Sequence, residues 1–412
     1  MGLREALLKD GRGLLENLYT GSKVSVAEDA SRPGEKRHPE RKLELHTIFG
    51  KVEIIRSYYY CPATHTGRFP LDEALGLVQS FSPALVRLAA RAAAREGYEA
   101  ASEDLAELAH IQIEGRQIHR LVNDVAPQVS VALKEGPIED PEPIPVVYVE
   151  VDGTGVPMVG EELKGRPGKQ ADGTSKTREV KLGCVFTQTR EDPETGLPLR
   201  DPNSTSYVGS FENSQQFGGR IRHEALRRGV GRAGKVVLVG DGAAWIWELA
   251  RQNFPEAIEI LDFYHVLERL HDLCLELYPP PSCWASRMEE RWKEMLKKDQ
   301  VDQVIAAAHR RLDELGDSKD RKLEKQIAYF ENHRSRMRYQ TYRKQGLFYG
   351  SGVVEAGCKA VIGQRLKESG MFWSEPGATS ILQLRCVLKG HRWDECWNRI
   401  NFCEPFTHQT AA

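Results

Sequence analysis

This 412-residue sequence predicts an α/β core that follows a mainly helical region and is interrupted by an all-helical insertion. Three observations predict it. Five β-rich runs fall between residues 146 and 266, in the order strand, strand, strand, helix, strand, helix, strand. The stretch 267–345 carries helical periodicity and few strand signals. A last helix opens at "GSGVVEAGCK".

The elements follow in order. Residues 1–43 begin with "MGLREALLKDGRGLLENLYTG", an amphipathic helix without the long apolar core of a secretory leader. Residues 44–81 hold a small hairpin, "LELHTIFG" and "KVEIIRSYYY", meeting at Gly50-Lys51, and then a ribbon-like remnant. Cys61 and His65 in that remnant are too few for a four-ligand site, so zinc is not expected.

Residues 82–133 read as a helical region. Ser82 and Pro83 form a helix start, with a capping side chain and then proline at the first position. Leu85, Leu88, Ala89 and Ala92 share one face, and Arg87, Arg91 and Arg95 another. Two further helices, "EAASEDLAELA" and "GRQIHRLVNDVA", flank the break "HIQIE". An ordinary α-hairpin and a helix-turn-helix both fit. In the second case Arg116, Gln117, His119 and Arg120 would face a DNA major groove. Residues 134–145, "KEGPIEDPEPIP", are a linker by their proline and acid content.

The core occupies residues 146–266. Its strands are "PVVYVEVDG", "REVKLGCVFTQT", "STSYVGSFEN", "KVVLVGDG" and "AIEILDFYHV", and its helices "SQQFGGRIRHEALRRG" and "AAWIWELARQNFP". Residues 267–345 form the helical insertion, and 346–412 the final helix and tail. Three strands precede the first helix, whereas a doubly wound nucleotide-binding fold places a helix after its first strand. This order is that of a ribonuclease H-like core with an insertion before its last helix.

The bulk properties narrow the function. The chain is 40% hydrophobic and 28% charged, with no apolar run near the roughly 20 residues of a membrane span. Eight cysteines without paired spacing read as the reduced thiols of a cytoplasmic protein. The net charge of −2 implies no overall attraction to nucleic acid. Two basic clusters could attract it locally: Arg321, Lys322, Lys325, Arg334, Arg336, Arg338, Arg343 and Lys344, and Arg220, Arg222, Arg227, Arg228, Arg232 and Lys235.

Acidic residues mark the chemistry. Two predicted strands end alike, "VEVDGTG" at Asp152 and "LVGDGAA" at Asp241. Each could be a turn residue, since Asp-Gly is a common turn pair. Each could instead hold a metal, since ligands gather where the strands of an open α/β sheet end. Mg2+ takes hard oxygen ligands, and a two-ion site suits in-line displacement at phosphorus. Glu355, in the first turns of the final helix, is the natural third carboxylate, with Lys359 one turn on. Asp262 and His265, in "LDFYHVLERL", could face the same site or be a helix cap and an incidental histidine.

These residues carry a resemblance. "VDGTGV", "REVKLGCVF", "VLVGDGAAWIW", "LDFYHVLERL", "GSGVVEAGCK" and "GQRLKESGMFW", in this order, resemble a DDE-type transposase of a bacterial insertion sequence, of the ISKra type and related to Mutator-like transposases. With "FGKVEIIRSYYYCP" and "FPLDEALGL", the resemblance spans nearly the whole chain. It implies Asp152, Asp241 and Glu355 as a catalytic, metal-binding triad, and Asp262 and His265 as an accompanying D-x-x-H element. Such relatives often carry a cysteine-rich ribbon near residue 61; this chain keeps a single cysteine there.

The expected function is cleavage and strand transfer of an insertion sequence with two Mg2+ ions, Mn2+ substituting. Expected partners are double-stranded DNA, as element ends and target, and further copies of the chain on paired ends. Lys359, Arg365 and Lys367, the basic residues Arg334, Arg336 and Arg338, and Arg116, Gln117 and Arg120 are expected at DNA. Trp284 and Trp373 could stack on a splayed base or be plain core aromatics. Gly153 and Gly155 are expected to leave room for phosphates. The rival readings are a non-catalytic DNA-binding derivative, a nuclease that only hydrolyses, and a nucleotide-dependent enzyme. The last lacks a glycine-rich phosphate loop after the first strand.

Overall fold

The computed structural model describes residues 2–27, 31–134, 143–166, 175–280, 283–315 and 321–403. The predicted linker at 134–145 therefore lies largely outside the described residues. The chain forms two compact units: Met1–Glu135 with Arg365–Leu388 and Arg392–Ala412, and Gly136–Gln364 with Lys389–His391. The segment 346–412, expected as one piece, is thus divided between them.

In the first unit, α1 (Gly2–Ala27) packs Tyr19 against a hairpin of β1 (Lys36–Thr47) and β2 (Gly50–Cys61), with β3 (Thr66–Arg68) added antiparallel to β2. Leu45, Val52, Ile54 and Leu71 form its core, the last from α2 (Pro70–Ala74). The hairpin turn falls at Ile48 and Phe49, two residues before the predicted place. Thr47 pairs with Gly50, the Thr47 hydroxyl donates to the Gly50 carbonyl at 2.7 Å, and Gly50 adopts a φ of 108°. Strand β1 also starts earlier than expected. Its exposed "KRHPERK" portion lacks an apolar alternation, and its proline sits at a register shift between His38 and Arg41.

Helices α3 (Pro83–Ala93), α4 (Tyr98–Ala109) and α5 (Gly115–Lys134) pack on one another. The Ser82 side chain caps α3 by accepting from Leu85 N, and His110 ends α4 in the left-handed conformation. Leu85, Ala89, Ile118, Leu121, Val122 and Val125 are buried, as their spacing predicts, whereas Leu88 and Ala92 of the predicted α3 face are only half-buried and Val86, outside that face, is buried.

The second unit is built on a five-stranded sheet. Its strands are β4 (Ile144–Pro157), β5 (Thr177–Gln188), β8 (Ser206–Ser210), β9 (Ala233–Gly240) and β10 (Ile258–Leu261), in the spatial order β10-β9-β4-β5-β8. A two-stranded ribbon of β6 (Arg190–Glu191) and β7 (Pro198–Leu199) stands apart. Strand β4 pairs antiparallel to β5 and parallel to β9, and β10 is parallel to β9. Helices α6 (Ser214–Arg227) and α7 (Ala244–Asn253) connect the later strands.

The stretch after β10 is helical, with α8 (Phe263–Leu277), α9 (Trp284–Leu296), α10 (Val301–Glu314), α11 (Arg321–His333) and α12 (Tyr339–Lys344). Tyr339 and Tyr342 of α12 donate to the carbonyls of Leu261 and Glu259, so the last of these helices is tied to strand β10. The chain then enters α13 (Gly352–Gly357), π-helical turns at Cys358–Gly363 and α14 (Gln364–Leu366). Helices α15 (Glu375–Lys389) and α16 (Trp393–Arg399) follow. Most of this segment joins the first unit because its side chains bond there: Arg385 donates to Ala94 O and Cys396 Sγ to Val129 O.

His333, closing α11, is buried between the rings of Trp247 and Tyr329. Burial, with the Arg336 charge, holds its pKa down at about 4, so the fold keeps the ring neutral. The stability this provides is complete above the unfolded value near 6.5 and is lost as pH falls toward 4. Wild type should lose about 1–3 kcal/mol more than His333→Phe between pH 7.5 and pH 4, measured by urea denaturation. Equal losses in the two proteins would remove His333 as an acid-sensitive element.

Candidate functional site

The site begins with the alternation of β4. Side chains of a strand point to opposite faces in turn, so Tyr148, Glu150 and Asp152 share one face. On the other face, Gly183 of β5, opposite Val151, lies against Phe217 and Ile221 of α6. The three residues of the first face each bond the segment that contains α13. Tyr148 Oη accepts from Phe348 N at 3.1 Å, Glu150 Oε2 from Val354 N at 2.8 Å, and Asp152 Oδ2 from Cys358 Sγ at 3.3 Å.

Register then aligns the acids. Glu150 pairs with Val239, and Leu261 with Gly240, so Asp152, Asp241 and Asp262 stand at one level on three neighbouring parallel strands. The bond from Asp262 N to Gly240 O extends that pairing. The sequence places Asp152 at a strand end, but it lies within β4. Strand β4 continues to Pro157 because β5 pairs with it throughout, whereas β9 and β10 both stop at this level. Gly153 and Gly155 accordingly face β5: a Cβ at either would lie 2.8 Å from Glu179 Oε1 or Thr177 Oγ1. Gly242, after Asp241, is required by its φ of 99° and by the Tyr329 hydroxyl, 2.7 Å from where a Cβ would stand.

Asp262 is wholly buried and caps α8. Its Oδ1 accepts from His265 N at 2.7 Å and meets His265 Nδ1 at 3.0 Å, and its Oδ2 accepts from Ser351 N. The helix-cap reading therefore holds, and the same carboxylate orients the histidine ring. Ser351 Oγ donates to Glu355 Oε1 at 2.9 Å. The ligand atoms of Asp262, His265 and Glu355 lie within 4.8 Å of one another. Asp152 and Asp241 belong to no group that compact among the described residues, but the charge of Asp241 acts on both Asp152 and His265.

The electrostatics follow from burial and these bonds. Burial pushes the Glu150 carboxyl up to about 8, the charges of Asp262 and Glu355 add to this, and the Val354 amide opposes it. Burial also raises Asp152, reinforced by Asp241 and opposed by the Gly153 amide and the Cys358 thiol. Burial alone would raise Asp262, but the His265 ring and the His265 and Ser351 amides outweigh it and hold the carboxyl below its usual value. The bond to Asp262 lifts His265 to about 9 against the effect of burial.

This donor set fits a hard divalent cation. Several carboxylates stand at this level of the sheet; both Asp262 oxygens accept from protein N–H groups, and both Asp152 oxygens also accept, from Gly153 N and Cys358 Sγ. Asp152, Asp241 and Glu355 keep acceptor capacity toward an ion such as Mg2+ or Mn2+.

The remaining predicted residues divide. Arg116 and Arg120 are exposed at the start of α5, and the Gln117 side chain is taken up by Glu114 N at 3.0 Å. Lys359, Lys367, Arg334 and Arg338 are exposed. Two expected DNA contacts are corrected. Arg365 is 0% exposed: its Nε donates to Ala93 O at 2.9 Å, and the guanidinium lies 5.1 Å from the ring centroids of Tyr98 and Trp373. Arg336 pairs with Glu259 at 2.5 Å and stacks on Trp247 at 4.3 Å. Trp373 is buried with its Nε1 on Leu366 O, whereas Trp284 is half exposed. The second basic cluster is largely ion-paired, Arg220 with Glu212, Arg222 with Glu256 and Arg228 with Glu224. Sequence reasoning missed Glu150, Ser351 and Cys358. For Glu150 there was a signal, a carboxylate among valines inside an apolar strand, which must find a buried partner.

Fold and site together define a mixed α/β protein with an acidic centre at the end of its parallel strands. The profile of an uncharacterised protein family (UPF0236) matches residues 2–168, which include Asp152 but not Asp241 or Glu355. No curated protein matches the chain. Among solved structures, the "Drosophila P element transposase strand transfer complex" aligns over 76% of this chain and 80% of that chain, at 11% identity and a TM-score of 0.29. Among the described residues, no helix is long and apolar enough to cross a membrane.

Proposed function

We propose that the chain is a transposase-type polynucleotidyl transferase built on a ribonuclease H-like core. The observation that supports it best is the group of Asp262, His265 and Glu355, whose ligand atoms lie within 4.8 Å of one another, with Asp152 and Asp241 at the same level on the neighbouring strands. The strand order β10-β9-β4-β5-β8 and the helical stretch between β10 and α13 agree with that core.

In this reading Asp152, Asp241 and Glu355 hold two Mg2+ ions. Bound there, the ions would neutralise charge developing at phosphorus and favour in-line displacement. Asp262 orients His265 and, through the Ser351 amide, the start of α13. Ser351 holds one Glu355 oxygen. Lys359, exposed one turn beyond Glu355, and Arg334, Arg338, Lys367, Arg116 and Arg120 supply phosphate contacts that position DNA without reading its sequence. The reaction is cleavage at an element end by water, followed by attack of the freed 3′-hydroxyl on target DNA.

The test uses the DNA flanking this reading frame, end-labelled, with a target plasmid and Mg2+, beside Glu355→Gln and an EDTA control. Joined products from wild type alone, lost in EDTA, are expected. Cleavage without joining would replace the proposal with a hydrolytic nuclease. Binding without cleavage by folded protein would replace it with a non-catalytic DNA-binding protein.

A further inference from the structure

Glu150 has no part in the reaction proposed above, yet its burial demands an explanation. Its side chain is 0% exposed inside an otherwise apolar stretch of β4. Oε2 accepts from Val354 N at 2.8 Å, and Oε1 is buried without a hydrogen-bond partner among the described residues. A lone half-satisfied carboxyl is costly to bury, so a merely packed position would favour valine, as at the neighbouring residues.

The bond sits at a particular place. Val354 is the third residue of α13, and the first amides of a helix have no partner within it. Ser351, at the capping position, makes no side-chain bond to these amides; its hydroxyl serves Glu355 instead. Strand β4 and the cap of α8 supply the acceptors in its place, Glu150 at Val354 N and Asp262 at Ser351 N. Glu355 follows Val354 directly, and Asp152 lies two residues along β4 from Glu150.

We infer that Glu150 is a positioning residue that sets Glu355 against Asp152, one rigid strand carrying both the first carboxylate and the clamp on the helix that carries the third. The inference rests on the reading above, in which both acids belong to the set that holds the metal ions. The spacing along β4 is fixed at about 6.6 Å by strand geometry, so the clamp transmits a defined distance.

The test compares wild type with Glu150→Gln, Glu150→Ala and Glu150→Asp. Gln keeps an acceptor at the same reach, Ala removes it, and Asp withdraws it by one carbon. Two readouts are used on protein shown to be folded: hydrogen exchange of the amides at 351–355, and Mn2+ affinity from water proton relaxation. Glu150→Gln should stay within about threefold of wild type in both. Glu150→Ala should speed exchange at Val354 and weaken Mn2+ binding about tenfold or more, and Glu150→Asp should do the same if Glu150→Ala does not fold.

A lower thermal midpoint with wild-type Mn2+ affinity in Glu150→Ala, or in Glu150→Asp alone, would overturn the inference and leave a structural cap. So would equal losses in Glu150→Gln and Glu150→Ala. If wild type and Asp152→Asn bind Mn2+ equally weakly, the functional reading fails by itself. Exchange at Val354 still reports then whether the clamp exists.

Discussion

Asp241→Asn is expected to lower Mg2+-dependent DNA cleavage by about a thousandfold or more while leaving DNA affinity within a few-fold of wild type. The substitution removes a charge and little else. Asp241 Oδ1 accepts from Ala243 N at 2.9 Å, a bond an asparagine oxygen can also make. The Tyr329 hydroxyl bonds the Asp241 main-chain carbonyl, which the change does not touch. The loop should therefore keep its shape and lose its ion. Single-turnover cleavage of end-labelled DNA and fluorescence anisotropy measure the two effects separately. A variant that cuts at the wild-type rate would show that the acidic centre is assigned to the wrong residues.

The second large effect is on stability. Arg365→Ala should destabilise the first unit by about 3 kcal/mol or more, because it deletes a buried guanidinium with several partners. The bond to Ala93 O closes the C-terminal end of α3, where a cation also meets the negative end of the helix dipole. The guanidinium fills the space between Tyr98 and Trp373, and the truncation would leave that space empty. Arg365→Lys should recover only part of the loss, since an ammonium cannot reproduce the planar fork. Lys367→Ala, at an exposed position two residues on, should leave stability nearly unchanged. Urea denaturation gives the ranking. If Arg365→Ala were as stable as wild type but bound DNA more weakly, Arg365 would be a phosphate contact after all.

Much of the fold was legible in the sequence where local rules decide it. The five core strands, the caps at Ser82 and Asp262, the faces of α3 and α5, and the helical stretch after β10 follow from periodicity and capping chemistry. Errors fell where a distant partner decides. The charged start of β1 is a strand only because β2 pairs with it. Asp152-Gly153 reads as a turn but is straight strand because β5 continues alongside. Arg365 and Arg336 look like surface cations, since a letter does not reveal that an aromatic ring or a carboxylate covers it.

The acidic centre divides in the same way. Asp152, Asp241 and Asp262 stand out in the sequence as carboxylates after apolar runs, Glu355 as an acid in the first turns of the last core helix, and His265 by its spacing from Asp262. Their common level came only from the register of β4, β9 and β10. The bonds that orient them, from Ser351, Val354 and Cys358, join residues far apart in the chain. The sequence by itself determined which segments are helix or strand and which acids could bind an ion, because those depend on neighbours within a turn or two. Only the tertiary structure decided which charges are buried, which are already paired and what holds Glu355, because burial and hydrogen-bond partners depend on contacts across hundreds of residues.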